Sequence, residues 1–97
     1  MSDIQSTLTE RNKRYGDFTA HSEISEHLLS LLQFEDVTHI SERISWAEME
    51  SFQRQALRVI CDKLARIVNG DPGYDDNWRD ISGYATLVLM RLDHSPE

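Results

Sequence analysis

The sequence predicts an all-α fold, a small helical bundle with a long C-terminal helical hairpin. Three observations carry this. Both prolines, Pro72 and Pro96, lie late, so residues 1–71 lack the strongest helix breaker. Apolar residues recur at three- and four-residue steps over long stretches. No glycine-bounded run alternates apolar and polar residues as a half-buried strand would. The 97 residues suit one domain with one core, residues 1–97. A chain this small buries only roughly 60–65% of its unfolded surface, so closure by homo-oligomerisation is expected.

The first segment, residues 3–15, reads as a short polar helix with Ile4 and Leu8 on one face and Gly16 as its stop. Residues 1–16 are thus a peripheral or oligomerisation segment. Asp17 is placed to cap the next helix, residues 18–32, because its carboxylate can accept from first-turn N–H groups. Phe18, His21, Ile24, Leu28 and Leu32 form its apolar stripe. Residues 33–44 read as a loop with a short helix. Ser45 and Glu48 have the spacing of a capping box, which predicts that the long third helix begins there. Met49, Phe52, Ala56, Ile60, Leu64 and Ile67 continue its apolar face. Asn69-Gly70 and Pro72 end it, with Gly70 expected in the left-handed conformation. A final helix follows DPGYDD, capped by Asp75 or Asp76, with Trp78, Ile81, Ala85, Val88 and Leu92 as its buried stripe. Gly83 inside that helix costs roughly 1 kcal/mol relative to alanine, which a close helix crossing or a ligand would explain.

Composition narrows the function. Seventeen acidic against ten basic residues give a net charge of −7, which repels polyphosphate backbones and argues against sequence-general nucleic-acid binding. It leaves a small phosphorylated ligand open, since such a ligand feels a local pocket. No apolar run reaches the roughly 18–20 residues that span a bilayer, so no membrane partner is expected. The opening MSDIQSTLTERNKR has no apolar signal core, and the expected location is the cytoplasm. Cys61, the one cysteine, lies among Ile60, Leu64 and Val68 and reads as a core thiol.

Two constellations could carry chemistry. Arg54, Arg58, Lys63 and Arg66 crowd a stretch whose only acid is Asp62. Lys63 and Arg66 share one side near the helix end, where cations also favour the helix dipole. Asp76 and Asp80, four apart, project from one helix face. They could hold Mg²⁺ through oxygen ligands, accept from ribose or base donors, or simply pair with Lys63 and Arg66 across the hairpin. Tyr84 lies off the buried stripe and, with Tyr15, could stack on a base; Trp78 reads as core. His21, His27, His39 and His94 lack metal-ligand spacing. No nucleophile elbow, phosphate-binding loop or zinc-protease motif occurs.

RYGDF at 14–18 with His21, then KLARIVNGDPGYDDNWRDISGYATLV at 63–88, resemble a small helical domain common in bacteriophages and prophages. The pattern is YGDF-x-x-H early and K-x-x-R-I-x-x-G-D-P with D-x-W-x-D-I-x-G-Y late. The late half is also distantly similar to MazG-like and nucleotide-modification-associated helical pyrophosphatases. Those hold Mg²⁺ with an E-E-x-x-E helix and an E-x-x-D helix. This chain offers Glu23, Glu26, Asp76 and Asp80 without the doubled glutamate, which thins the metal-binding set that cleavage of a triphosphate needs.

The resemblance implies a phage-type protein that captures a small nucleotide or nucleotide-derived signal in the bacterial host's cytoplasm, countering host defence without catalysis or a cofactor. Lys63 and Arg66 would hold phosphate, Tyr84 and Tyr15 would stack, and Asp76 and Asp80 would accept from base or sugar. One alternative is a Mg²⁺-dependent pyrophosphatase with Glu23, Glu26, Asp76 and Asp80 at the metal. Another is an acidic inhibitor of a host protein.

Overall fold

Helix α1 spans Phe18–Gln33, a short α2 spans Ile44–Glu48, α3 spans Ser51–Asn69 and α4 spans Asp75–Asp93. The computed structural model describes residues 4, 7, 8, 10, 16–36, 38 and 41–93. The fold is all-α as expected. Among the described residues, extended pairing is confined to one bridge between Phe34 and Glu42. Ile4, Thr7, Leu8 and Glu10 are helical too, with Ile4 and Leu8 exposed.

Asp17 caps α1 as predicted, its carboxylate accepting the Ala20 N–H at 3.0 Å. The buried seam differs from the expected stripe. His21 and Leu29 are buried, whereas Phe18, Leu31 and Leu32 are exposed. The contacts of α1 with α3 and with Trp46 lie on its His21 and Leu29 side, and Phe18, Leu31 and Leu32 fall away from them. Phe18 packs edge-on against the His21 ring, 5.3 Å between centroids.

The linker is a tight loop. The Arg43 N–H donates to the Gln33 carbonyl at 2.8 Å and the Glu35 N–H to Ser41 at 3.0 Å. The Arg43 guanidinium donates to the Leu31 carbonyl at 3.2 and 3.3 Å, satisfying an acceptor near the end of α1. Helix α2 then delivers Trp46 into a core with Leu29 and Cys61, flanked by Leu28, Met49 and Leu57.

Here the capping prediction is corrected. Ser45 and Glu48 lie inside α2, and the chain breaks at Met49 and the extended Glu50 before α3 begins. The effective cap is five residues later, at Glu50, whose N–H donates to Gln53 Oε1 at 2.9 Å. A continuous helix would hold Trp46 about 22 Å along the axis from Cys61, outside the core. The break folds it back.

Helix α3 is the centre of the molecule. Leu57, Cys61, Asp62 and Asn69 face α1, while Ala56, Ile60 and Lys63 face α4. Those two sets fall on opposite sides of the helical wheel, so α1 and α4 flank α3 in a single layer. Globular domains usually need two layers to enclose a core. The radius of gyration, 16.1 Å, exceeds the roughly 13 Å of a compact 100-residue domain.

The consequence falls on α4, where the expected buried stripe is corrected. Trp78 (52% exposed), Ala85 and Leu92 lie in solvent, Ile81 and Val88 are half-buried, and the one fully buried residue is Asn77. Gly70 is corrected too. Its φ of −131° is not left-handed, because Asp71 organises the turn instead, accepting the Gly73 N–H through its carboxylate and the Tyr74 N–H through its carbonyl.

The positive φ is at Gly16, +77°. An added Cβ there would run into the Asn69 carbonyl oxygen and side-chain amide, and the Asn69 amide donates to the Asp17 carbonyl at 3.1 Å. The start of α1 is thereby fastened to the end of α3. Gly16→Ala should destabilise the fold by more than about 1–2 kcal/mol, the cost of the left-handed backbone alone, read as a lower denaturant midpoint. An unchanged midpoint would show that this junction does not form.

Burial of Cys61 pushes its thiol pKa up, with the Arg58 charge pulling weakly the other way. The unfolded chain then loses this proton first as pH rises. Stability from the neutral buried thiol should be full below roughly pH 8.5 and fall above it. Alkaline titration of the thermal midpoint should show this fall in the wild type, and Cys61→Ala should flatten it.

Candidate functional site

One face of the layer gathers most of the chain's chemistry. Asp76, Asp80 and Tyr84 recur every fourth residue, so they line one side of α4. Opposite them on α3 stand Lys63 and Arg66, with Phe52 about three to four turns earlier.

At the polar end every charge has a partner. Lys63 Nζ lies 2.9 Å from Asp80 Oδ2, joining α3 to α4. Arg66 Nε lies 2.9 Å from Asp62 Oδ2 within α3, and Asp62 Oδ1 faces His21 Nε2 of α1 at 3.4 Å. The Tyr74 hydroxyl donates to Asp76 at 2.8 Å. The pairing of Lys63 with Asp80 is the across-hairpin arrangement that the spacing allowed. The Asp80 side chain is 48% exposed while Lys63 is 17% exposed, so the pair is half-solvated and contributes at most about 1 kcal/mol.

Two buried nitrogens lie unpaired among the described residues, His21 Nδ1 and Asn77 Nδ2. Neither is a surface atom, since the two residues are 3% and 1% exposed. Each such group costs on the order of 1–3 kcal/mol when dry. His21 belongs to the early motif and faces Asp62 of α3, and Asn77 lies within the late motif in the first turn of α4.

One helical turn from Asp80, a groove of about 250 Å³ opens between α3 and α4, lined by Phe52, Gln55, Ala56, Tyr84, Leu87 and Arg91 among others. The Arg91 guanidinium sits 5.5 Å from the Phe52 ring centroid, a cation–π arrangement. The groove falls just below the usual range of drug-sized pockets and matches a flat fragment such as a base. A second, apolar groove of about 280 Å³ lies on the opposite face, lined by Met49, Ala56, Leu57, Ile60, Ala85 and Val88 among others.

The structure thus brings Lys63, Arg66, Asp76, Asp80 and Tyr84 onto one face, with Tyr84 in the groove and the charges beside it. Tyr15 lies outside the described residues. Glu23 and Glu26 are exposed on α1, and no three of the described His, Cys, Asp or Glu residues gather as a metal site. Trp78 is tied by its indole N–H to the Pro72 carbonyl at 2.9 Å with its ring half in solvent. Phe52, Arg91, His21 and Asn77 were not read as site residues. His21 had a signal, a polar ring on an apolar stripe. Asn77 had none, because an asparagine in a first turn reads as solvated. No helix among the described residues is long and apolar enough to cross a membrane.

Compared with protein-family models, characterised proteins and solved structures, the chain matches none. Function has to be argued from the site itself.

The unpaired Asn77 amide makes a testable demand. Asn77→Val removes a dry donor with only a modest gain in volume, so the free protein should keep or raise its thermal midpoint. A drop of several degrees would mean that the amide is satisfied in the folded chain.

Proposed function

We propose that this protein binds and sequesters a small nucleotide or nucleotide-derived signal on the face shared by α3 and α4, as a homo-oligomer and without turnover. What carries the reading is one juxtaposition. Tyr84 and Phe52 line a base-sized groove one helical turn from the Lys63–Asp80 pair. A base would enter the groove between Tyr84, Phe52 and Arg91. Its phosphate would take Lys63 and Arg66 from their carboxylate partners, because charge-assisted contacts to phosphate are among the stronger hydrogen bonds and the half-exposed Asp80 is readily rehydrated. Asp80 and Asp76, so released, are acceptors for ribose or base donors. In a phage setting, which the motif resemblance suggests, capture of this kind would withdraw a host defence signal.

The pyrophosphatase alternative draws less from the geometry, since Glu23 and Glu26 stand on α1, beyond α3 from Asp76 and Asp80. An inhibitor acting on a host protein is supported by the net charge of −7 alone.

Incubation with a panel of nucleotides and cyclic dinucleotides, with and without Mg²⁺, separates the three. Capture predicts that intact ligand is recovered after denaturation, Mg²⁺ or not. Lys63→Ala and Tyr84→Ala should each weaken binding at least about tenfold, the loss of one good charged or stacking contact. Monophosphate and pyrophosphate appearing only with Mg²⁺ would establish the enzyme instead. No retention by any panel member would remove the nucleotide reading.

A further inference from the structure

The groove between α3 and α4 carries polar side chains on both of its walls. Gln55 of α3 and Arg91 of α4 line it together with Phe52 and Tyr84. The groove on the opposite face is lined by apolar residues and Gln53, and Gln53 already accepts the Glu50 N–H. Phe52 lies under the Arg91 guanidinium, 5.5 Å from ring centroid to carbon, which fixes where this long side chain ends. A guanidinium is a planar fork of five N–H donors with no acceptor. That number lets it serve a bound base beside any contact it keeps within the chain. The Gln55 amide differs, offering a donor and an acceptor together.

We infer that this groove selects guanine, with Arg91 reading the O6 and N7 edge of the base and Gln55 accepting from its N1–H. The inference rests on the capture reading above and names the base of its ligand. A fork of donors is satisfied by two neighbouring acceptors. Of the four common bases guanine presents them, O6 beside N7, whereas adenine sets an amino donor next to its N7. Cytosine also turns an amino donor to that edge, and thymine a single carbonyl. Adenine against Arg91 therefore brings donor to donor, and a site built to hydrogen-bond one group rejects the analogue that lacks it. Gln55 by itself would suit adenine as readily, so Arg91 is the residue that decides. A lysine at position 91 would supply the same charge in the last turn of α4 without the two parallel bonds of the fork. With Phe52 occupied by the guanidinium, stacking on the face of the base falls to Tyr84.

Equilibrium dialysis of the full chain against GMP, AMP and 7-deaza-GMP, without Mg²⁺, tests it. GMP should bind at least about tenfold more tightly than AMP, the discrimination of one good bidentate pair. In 7-deaza-GMP the N7 acceptor is replaced by C–H and every other group is kept. It should bind about tenfold more weakly than GMP, through loss of one hydrogen bond to a charged group. Arg91→Lys should bring GMP and 7-deaza-GMP to equal affinity, with the helical circular dichroism unchanged because the position is exposed. Gln55→Ala should weaken both ligands alike and preserve their ratio. AMP bound as tightly as GMP would overturn the guanine assignment and leave capture standing. So would a 7-deaza penalty that survives Arg91→Lys. If none of the three is bound while another nucleotide of the wider panel is, the assignment again falls alone. If no panel member is bound, the capture reading falls with it.

Discussion

The architecture depends on α3 carrying two interfaces at once. Cys61 and Ala65 on one side and Ala56 and Ile67 on the other are all buried, and they are mostly small. Small residues let α1 and α4 come close from both flanks, but they contribute less apolar area than the leucines that crowd α1 and α4. The result is a layer held along its spine and uncovered on its outer sides. Trp46 is the exception that secures one flank. It arrives from a separate short helix and buries a large ring between Leu29 and Cys61, where α1 and α3 would otherwise meet only through their own side chains.

At the far end the same spine is secured by polar contacts. Asn69 holds Asp17, Asp62 faces His21 and Lys63 holds Asp80. Each ties α3 to a flanking helix. The two quoted motifs, about fifty residues apart in the chain, are therefore two sides of one junction, with Gly16 admitting the close approach. That junction leaves His21 Nδ1 and Asn77 Nδ2 without partners among the described residues. A purely structural junction would gain by replacing such groups with apolar ones.

The two faces of the layer then differ in character. The face with Lys63, Arg66, Asp76, Asp80 and Tyr84 combines charge with an aromatic groove. The opposite groove, between Met49, Ile60 and Val88, is apolar. Much of the apolar surface of α4 is exposed, Leu87, Leu89 and Leu92 included.

By itself the sequence determined the helical class, the Asp17 cap, the hairpin turn at residues 70–74 and the shared face of Asp76 and Asp80. These are local matters, settled by spacing, capping and the absence of proline. Tertiary structure decided the rest. Periodicity marked apolar stripes without saying which would be covered, so Phe18, Leu32, Trp78 and Leu92 read as core and stand exposed, because α1 and α4 pack mainly on the side that faces α3. The capping box at Ser45 and Glu48 was a sound local signal, overridden because Trp46 reaches the core only if the chain breaks at Met49. Gly83 was legible as a cost, and the close helix crossing expected to explain it is absent among the described residues, since a Cβ built there meets nothing within 4 Å. Likewise no spacing rule could tell whether Lys63 would face a ligand or Asp80, since that choice depends on how two helices cross, a distance of a few ångströms that only the packed chain sets.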